Sequence, residues 1–173
     1  MPFEDLRFEA TQAEASDWAM RMMVQGYGAA GRMERAIRVV RDCRGIKDPL
    51  KIADRFLLAH GDLVFAASDA EGHPDPRYRN ATRGALASFT PQVQDQFPRC
   101  IAAFSDARRA MLAKAKGGKR QLAIAEKSLS VIRGYENSAT WADKPAGCQA
   151  AIDATIGYWT DQVALLAKYG GAD

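Results

Sequence analysis

Three dipeptides, Asp48-Pro49, Asp75-Pro76 and Thr90-Pro91, do most to limit what this chain can fold into. Aspartate and threonine are favoured N-cap residues because their side-chain oxygens accept a hydrogen bond from an otherwise orphaned amide. Proline is favoured at the first helical position, where its fixed φ suits the helix and its missing N–H costs nothing. Apolar residues at steps of three and four follow each pair: Ile52, Phe56 and Ala59, then Tyr78, Thr82, Ala85 and Phe89, then Phe97, Ile101 and Phe104. That spacing lays each set along one face of a helix. The expected fold is all-α, a single-domain helical bundle of about six to seven helices over residues 1–173.

Other signals fill in the remaining helices. Thr11-Gln-Ala-Glu14 fits a capping box, with Ala15, Trp18, Met22 and Met23 as the inner face of a first helix ended by Gly26-Tyr-Gly28. A second helix is expected over about Ala29 to Arg44 with Met33, Ile37 and Val40 as its seam and Gly45 as its stop. His60-Gly61 is expected to end or kink the third, and Asp69 to Asp75 is dense in turn residues. Pro98 is expected to interrupt the fifth helix, and Ala146 to open the last, which buries Ile152, Ile156, Trp159, Val163 and Leu166.

The feature with the clearest bearing on function is Lys114-Ala-Lys116-Gly117-Gly118-Lys119-Arg120. Helical apolar spacing runs up to it through Phe104, Arg108, Met111 and Ala115 and away from it through Leu122, Ala125, Leu129 and Ile132. Paired glycines end the first helix and allow the backbone to reverse. The product is a helical hairpin with four basic side chains at its tip. Gly117-Gly118-Lys119 is not a nucleotide-binding phosphate loop, because the Gly-Lys-[Ser/Thr] frame is missing and a helix rather than a strand precedes it.

Net charge is only +3, but it is unevenly placed. Residues 1–31 carry two basic and five acidic side chains, residues 32–133 twenty and eleven, and residues 134–173 two and five. From Arg99 to Arg133 nine basic residues face Asp106 and Glu126 alone. Arg32, Arg35, Arg38, Arg41 and Arg44 wind around the second helix, and guanidinium groups suit bidentate contacts to phosphate or carboxylate. Such a distribution bears on partners and not on fold.

Catalytic and metal chemistry find little here. Cys43, Cys100 and Cys148 are far apart in sequence, an odd set that fits neither a disulfide framework nor zinc. His60 and His73 have no carboxylate or cysteine at a metal-binding offset. No Gly-x-Ser-x-Gly elbow occurs. The chain is therefore expected to be non-enzymatic, with no cofactor, no metal and no small-molecule ligand. No apolar run is long enough to cross a bilayer, and the acidic, mixed first residues resemble no targeting signal, so a cytoplasmic location is expected.

These readings converge on a helical subunit that contacts a nucleic-acid backbone, RNA or DNA, within a larger protein–nucleic acid complex. Phosphate contacts are assigned to Arg32, Arg35, Arg38 and Arg41 and to Arg108, Arg109, Lys114, Lys116, Lys119 and Arg120. Aromatic residues are not interleaved with these charges in the sequence, so base stacking is not expected. In size and helical class alone, the chain is similar to the small subunits of CRISPR effector complexes, with which it shares no motif. The competing expectation is a protein-binding adaptor or inhibitor, of the phage or plasmid regulator kind, whose basic middle docks on an acidic partner.

Overall fold

The computed structural model describes residues 28–138 and 144–169 of the chain. Among these residues the fold is a single all-α bundle of five helices with no strands. They are α1 (Gly28–Arg41), α2 (Pro49–Ala70), α3 (Pro76–Lys114), α4 (Gly118–Ser138) and α5 (Cys148–Tyr169), with a 3-10 turn at Asp42–Gly45 after α1. The capping box at Thr11 and the helix expected after it lie outside the described residues.

Two of the three cap-and-proline pairs act as their sequence predicts. Asp48 Oδ1 accepts from the Leu50 amide at 3.0 Å, and Asp75 Oδ1 accepts from the Arg77 amide at 2.9 Å. The third does not start a helix. Thr90 and Pro91 lie inside α3, a continuous helix of 39 residues that also runs through Pro98. This fusion, together with the unbroken passage of α2 through His60-Gly61, corrects the expected six to seven helices.

The reason is non-local. Ala85, Phe89, Val93, Phe97, Cys100 and Ile101 form one buried stripe that crosses both prolines, so packing holds the helix where local preference would break it. The carbonyls that Pro91 and Pro98 leave without a helical donor belong to Ala87 and Gln94, both exposed to water. Thr90 turns its hydroxyl inward, donating to the Leu86 carbonyl at 2.8 Å and meeting His60 Nε2 at 3.1 Å. Replacing exposed Pro91 with alanine restores the missing amide, so Pro91→Ala is expected to stabilise the protein by about 1 kcal/mol, read by urea denaturation.

At 1.5 Å per residue α3 is about 58 Å long, and it is the spine of the molecule. Its first half runs antiparallel to α2: Phe56 stacks on Phe89 with centroids 5.9 Å apart, and Glu71 pairs with Arg83 at 2.6 Å. Continuing that register, α2 begins near the level of Ile101, so the last 13 residues of α3 project about 20 Å beyond it. The second half of α3 packs instead on α4 and α5. Phe97 lies 6.4 Å from Tyr135 of α4, and buried Ala125, Ile132, Ile152 and Trp159 form the core of that half.

The three cysteines come from the 3-10 turn, α3 and α5 and are all buried and free. Burial pushes each thiol up to about 11, so they are protonated at neutral pH and act as small apolar groups.

Candidate nucleic-acid interface

The tip is built by the chain reversal between α3 and α4. α3 ends at Lys114, Gly117 takes φ 86°, and α4 starts at Gly118. That positive φ is reached without strain only by glycine. Gln121 ties the turn together, its side-chain amide donating to the Ala115 carbonyl at 3.2 Å while its backbone amide donates to the Gly117 carbonyl at 3.2 Å. Ala115 is buried beneath the turn, and the side chains on either side of it point out.

Lys114, Lys116, Lys119 and Arg120 are all exposed, and no described carboxylate forms an ion pair with any of them. Lys119 and Arg120 sit in the first turn of α4, whose free amides add partial positive charge to theirs. Four cations on a projecting turn repel one another, and an anion relieves that repulsion.

Arg108 and Arg109 of the same hairpin are differently placed. The Arg108 guanidinium lies 5.5 Å from the centroid of Phe104 and is half-buried. Arg109 sits 4.0 Å from the centroid of Tyr158 on α5 and 3.7 Å from Asp106. Arg109 thereby ties the second half of α3 to α5 through stacking, whereas Arg108 covers a ring of its own helix.

The arginines of α1 divide into two pairs. Arg32 and Arg35 face α2, where they meet Asp62 at 3.9 Å and 3.1 Å, and Arg32 also reaches Asp69 at 3.7 Å and covers the Phe65 ring. Only 5% of the Asp62 side chain is exposed, and burial raises its pKa against the lowering influence of Arg35 and Arg32. These two arginines are therefore committed within the fold. Arg38 and Arg41 are exposed on the last turn of α1, where cations complement the helix dipole. By helix register they lie about 30 Å along α3 from the tip, so the ten residues assigned to phosphate from sequence do not form one patch.

The commitment of Arg32 and Arg35 has a measurable consequence. Removing both, as Arg32→Ala with Arg35→Ala, leaves a buried carboxylate unpaired and is expected to cost about 3 kcal/mol at neutral pH. The Asp62 pKa rises further in that variant. A group whose folded pKa is raised loses stability as pH climbs through that value, so the deficit shrinks on acidification as Asp62 is protonated. Urea melts at neutral and acid pH check both the size and the sign.

Surface features beyond the assigned cations occur on both halves of the bundle. Lys168 and Tyr169, fifty residues downstream, reach the same end of the bundle at the end of α5, with Lys168 Nζ 5.1 Å from the Tyr169 ring centroid. Of the four large hydrophobic side chains that are exposed among the described residues, Met111, Leu165 and Tyr169 are in this half of the molecule. Arg44, Lys47 and Lys51 form a separate exposed basic corner where α1 gives way to α2.

Both histidines make contacts within the fold. His73 Nδ1 accepts from the Asp75 amide at 3.0 Å, and the His73 carbonyl accepts from Arg79, so its role is to shape the loop before α3. Among the described residues no group of three or more histidine, cysteine or acidic side chains is arranged to hold a metal ion. No described helix is long and apolar enough to cross a membrane. Compared with known proteins, the chain matches no family model, no curated protein and no solved structure, so its function has to be read from its own residues.

Proposed function

We propose that this protein binds a nucleic-acid backbone through the α3–α4 tip, as a non-catalytic subunit of a larger protein–nucleic acid complex. The observation that carries this reading is the convergence of Lys114, Lys116, Lys119 and Arg120, exposed and free of ion pairs with described carboxylates, on a turn that projects beyond α1 and α2. Phosphate binding needs little more than such a surface, because release of counterions from the polyanion supplies most of the free energy. The contacts are assigned to these four residues first and to Arg108 and Arg109 beside them. Arg38 and Arg41 form an outlying second contact, and Arg32 and Arg35 belong to the fold.

The test starts from the protein purified in low salt. Its absorbance ratio at 260 and 280 nm reports co-purifying nucleic acid, and anisotropy titrations with labelled probes at several salt concentrations report affinity. A linear fall of log affinity with log salt is the expected result. A clean protein with no affinity for any probe at low salt rejects the reading.

One observation favours a second reading, an adaptor that docks on an acidic protein. Met111 and Leu165, both about half-exposed, lie in the cationic half of the bundle and could meet the apolar side of an acidic helix. A partner that stays bound in a pull-down after nuclease treatment would support this alternative.

A further inference from the structure

We infer that the nucleic acid held at the tip is single-stranded, with the ring of Tyr169 stacking on an unpaired base beside the cations of the turn. The inference rests on the nucleic-acid reading above and specifies its substrate class. It comes from a juxtaposition of α5 with the α3–α4 turn that no stretch of sequence contains.

Tyr158, Leu165 and Tyr169 are seven and four residues apart on α5, which places all three within about 40° of one another around the helix. The position of this stripe is fixed at its lower end, where Arg109 of α3 covers the Tyr158 ring at 4.0 Å. From that point α3 runs only about 7.5 Å further before ending at Lys114, whereas Tyr169 is about 16 Å further along α5. The stripe thus outruns the helix it started against and ends at the same end of the bundle as the turn. α4 is antiparallel to α5, as the contacts of Arg133 with Thr160 at 3.5 Å and of Glu136 with Gln149 at 3.1 Å together show. Its first turn carries Lys119 and Arg120.

The result is an aromatic ring 64% exposed, next to a half-exposed leucine, at the end of the bundle that carries Lys114 and Lys116. Lys168 Nζ stands 5.1 Å from the centroid of this ring, and the rest of the tyrosine surface is exposed and gains by being covered. A duplex cannot cover it, because its bases are already stacked and its outer surface is sugar and phosphate. A single strand offers both parts at once, a flexible line of phosphates for the cations and a free base for the ring. The exposed surface of Leu165 and Tyr169 is therefore matched by unpaired bases and not by paired ones.

The experiment uses the full chain with labelled oligo(dT), oligo(U) and a duplex of equal length, in the wild type, Tyr169→Ala and Tyr169→Trp. The wild type is expected to prefer the single strands. Tyr169→Ala should weaken single-strand binding about tenfold, within the range for loss of one stacked base, while leaving duplex binding and the salt slope unchanged. Tyr169→Trp should retain wild-type affinity. Because Tyr169 is exposed, the variants should keep the wild-type helical circular dichroism and melting temperature.

Equal affinity for duplex and single strand, or a Tyr169→Ala variant that binds single strands as the wild type does, overturns the inference. The nucleic-acid reading survives that outcome if charge reversal at Lys116, Lys119 and Arg120 still abolishes binding. If polyglutamate binds and neither strand type does, both fall and the tip is a protein-docking surface.

Discussion

The triple variant Lys116→Glu, Lys119→Glu, Arg120→Glu is expected to bind a labelled single strand about a hundredfold more weakly than the wild type at about 0.1 M salt. Each phosphate contact on a single strand contributes a slope of about 0.7 in log affinity against log salt, so three lost contacts account for about two decades at that concentration. The salt dependence should become shallower by about 2 in the same measurement. Glutamate adds repulsion to the loss, so the hundredfold figure is a lower bound. All three positions are exposed, and the turn is held by Gln121, Ala115 and Gly117, which the substitutions leave in place. The fold should therefore survive.

A second variant, Arg38→Glu with Arg41→Glu, separates the two basic sites. These side chains lie about 30 Å from the turn by helix register, so a short strand held at the tip does not reach them. Its affinity should fall far less. Equal affinity of the triple variant and the wild type would remove the tip from consideration as the binding site.

The largest effect on stability is expected from Phe97→Ala, at about 4 kcal/mol in urea denaturation. Phe97 is fully buried and stands on α3 where the half built on α2 gives way to the half built on α4 and α5. Removing its ring empties space beside Tyr135 and loosens both halves from their shared spine. The loss would be a large fraction of the ~5–15 kcal/mol that holds a typical domain together. Met111→Ala, on the same helix but half-exposed, should change stability by less than about 0.5 kcal/mol. A cost under about 1 kcal/mol for Phe97→Ala would mean that α4 and α5 do not pack on α3 through this residue.

The contrast between Phe97 and Met111 shows where helical periodicity stops being informative. Both fall on the apolar stripe that the spacing assigns to the inner face of the hairpin's first helix. One is fully buried beside Tyr135 of α4, and the other, further along the same helix, is about half-exposed. Periodicity identifies which side of a helix can be buried, but not how far its neighbours extend.

The same limit applies to charge. Arg32, Arg35, Arg38 and Arg41 look equivalent as a string, yet Asp62, some thirty residues away, draws in the first two and leaves the others in water. Likewise the sequence separates its aromatic residues from the basic turn, and the return of α5 carries Tyr169 to the same end of the bundle.

What the amino-acid sequence determined by itself is what acts within about one helical turn. Asp48 and Asp75 cap α2 and α3, Gly117 reverses the chain, and the apolar steps mark the faces of α1, α4 and α5. Each of these depends on groups no more than a few residues apart, so their effect can be read in place. Tertiary structure alone decided that α3 runs unbroken through Pro91 and Pro98, which arginines remain available, and which aromatic ring is exposed at the end of α5. Those outcomes depend on burial and ion pairing between segments tens of residues apart, and such contacts override a local preference whenever the free energy of packing exceeds it.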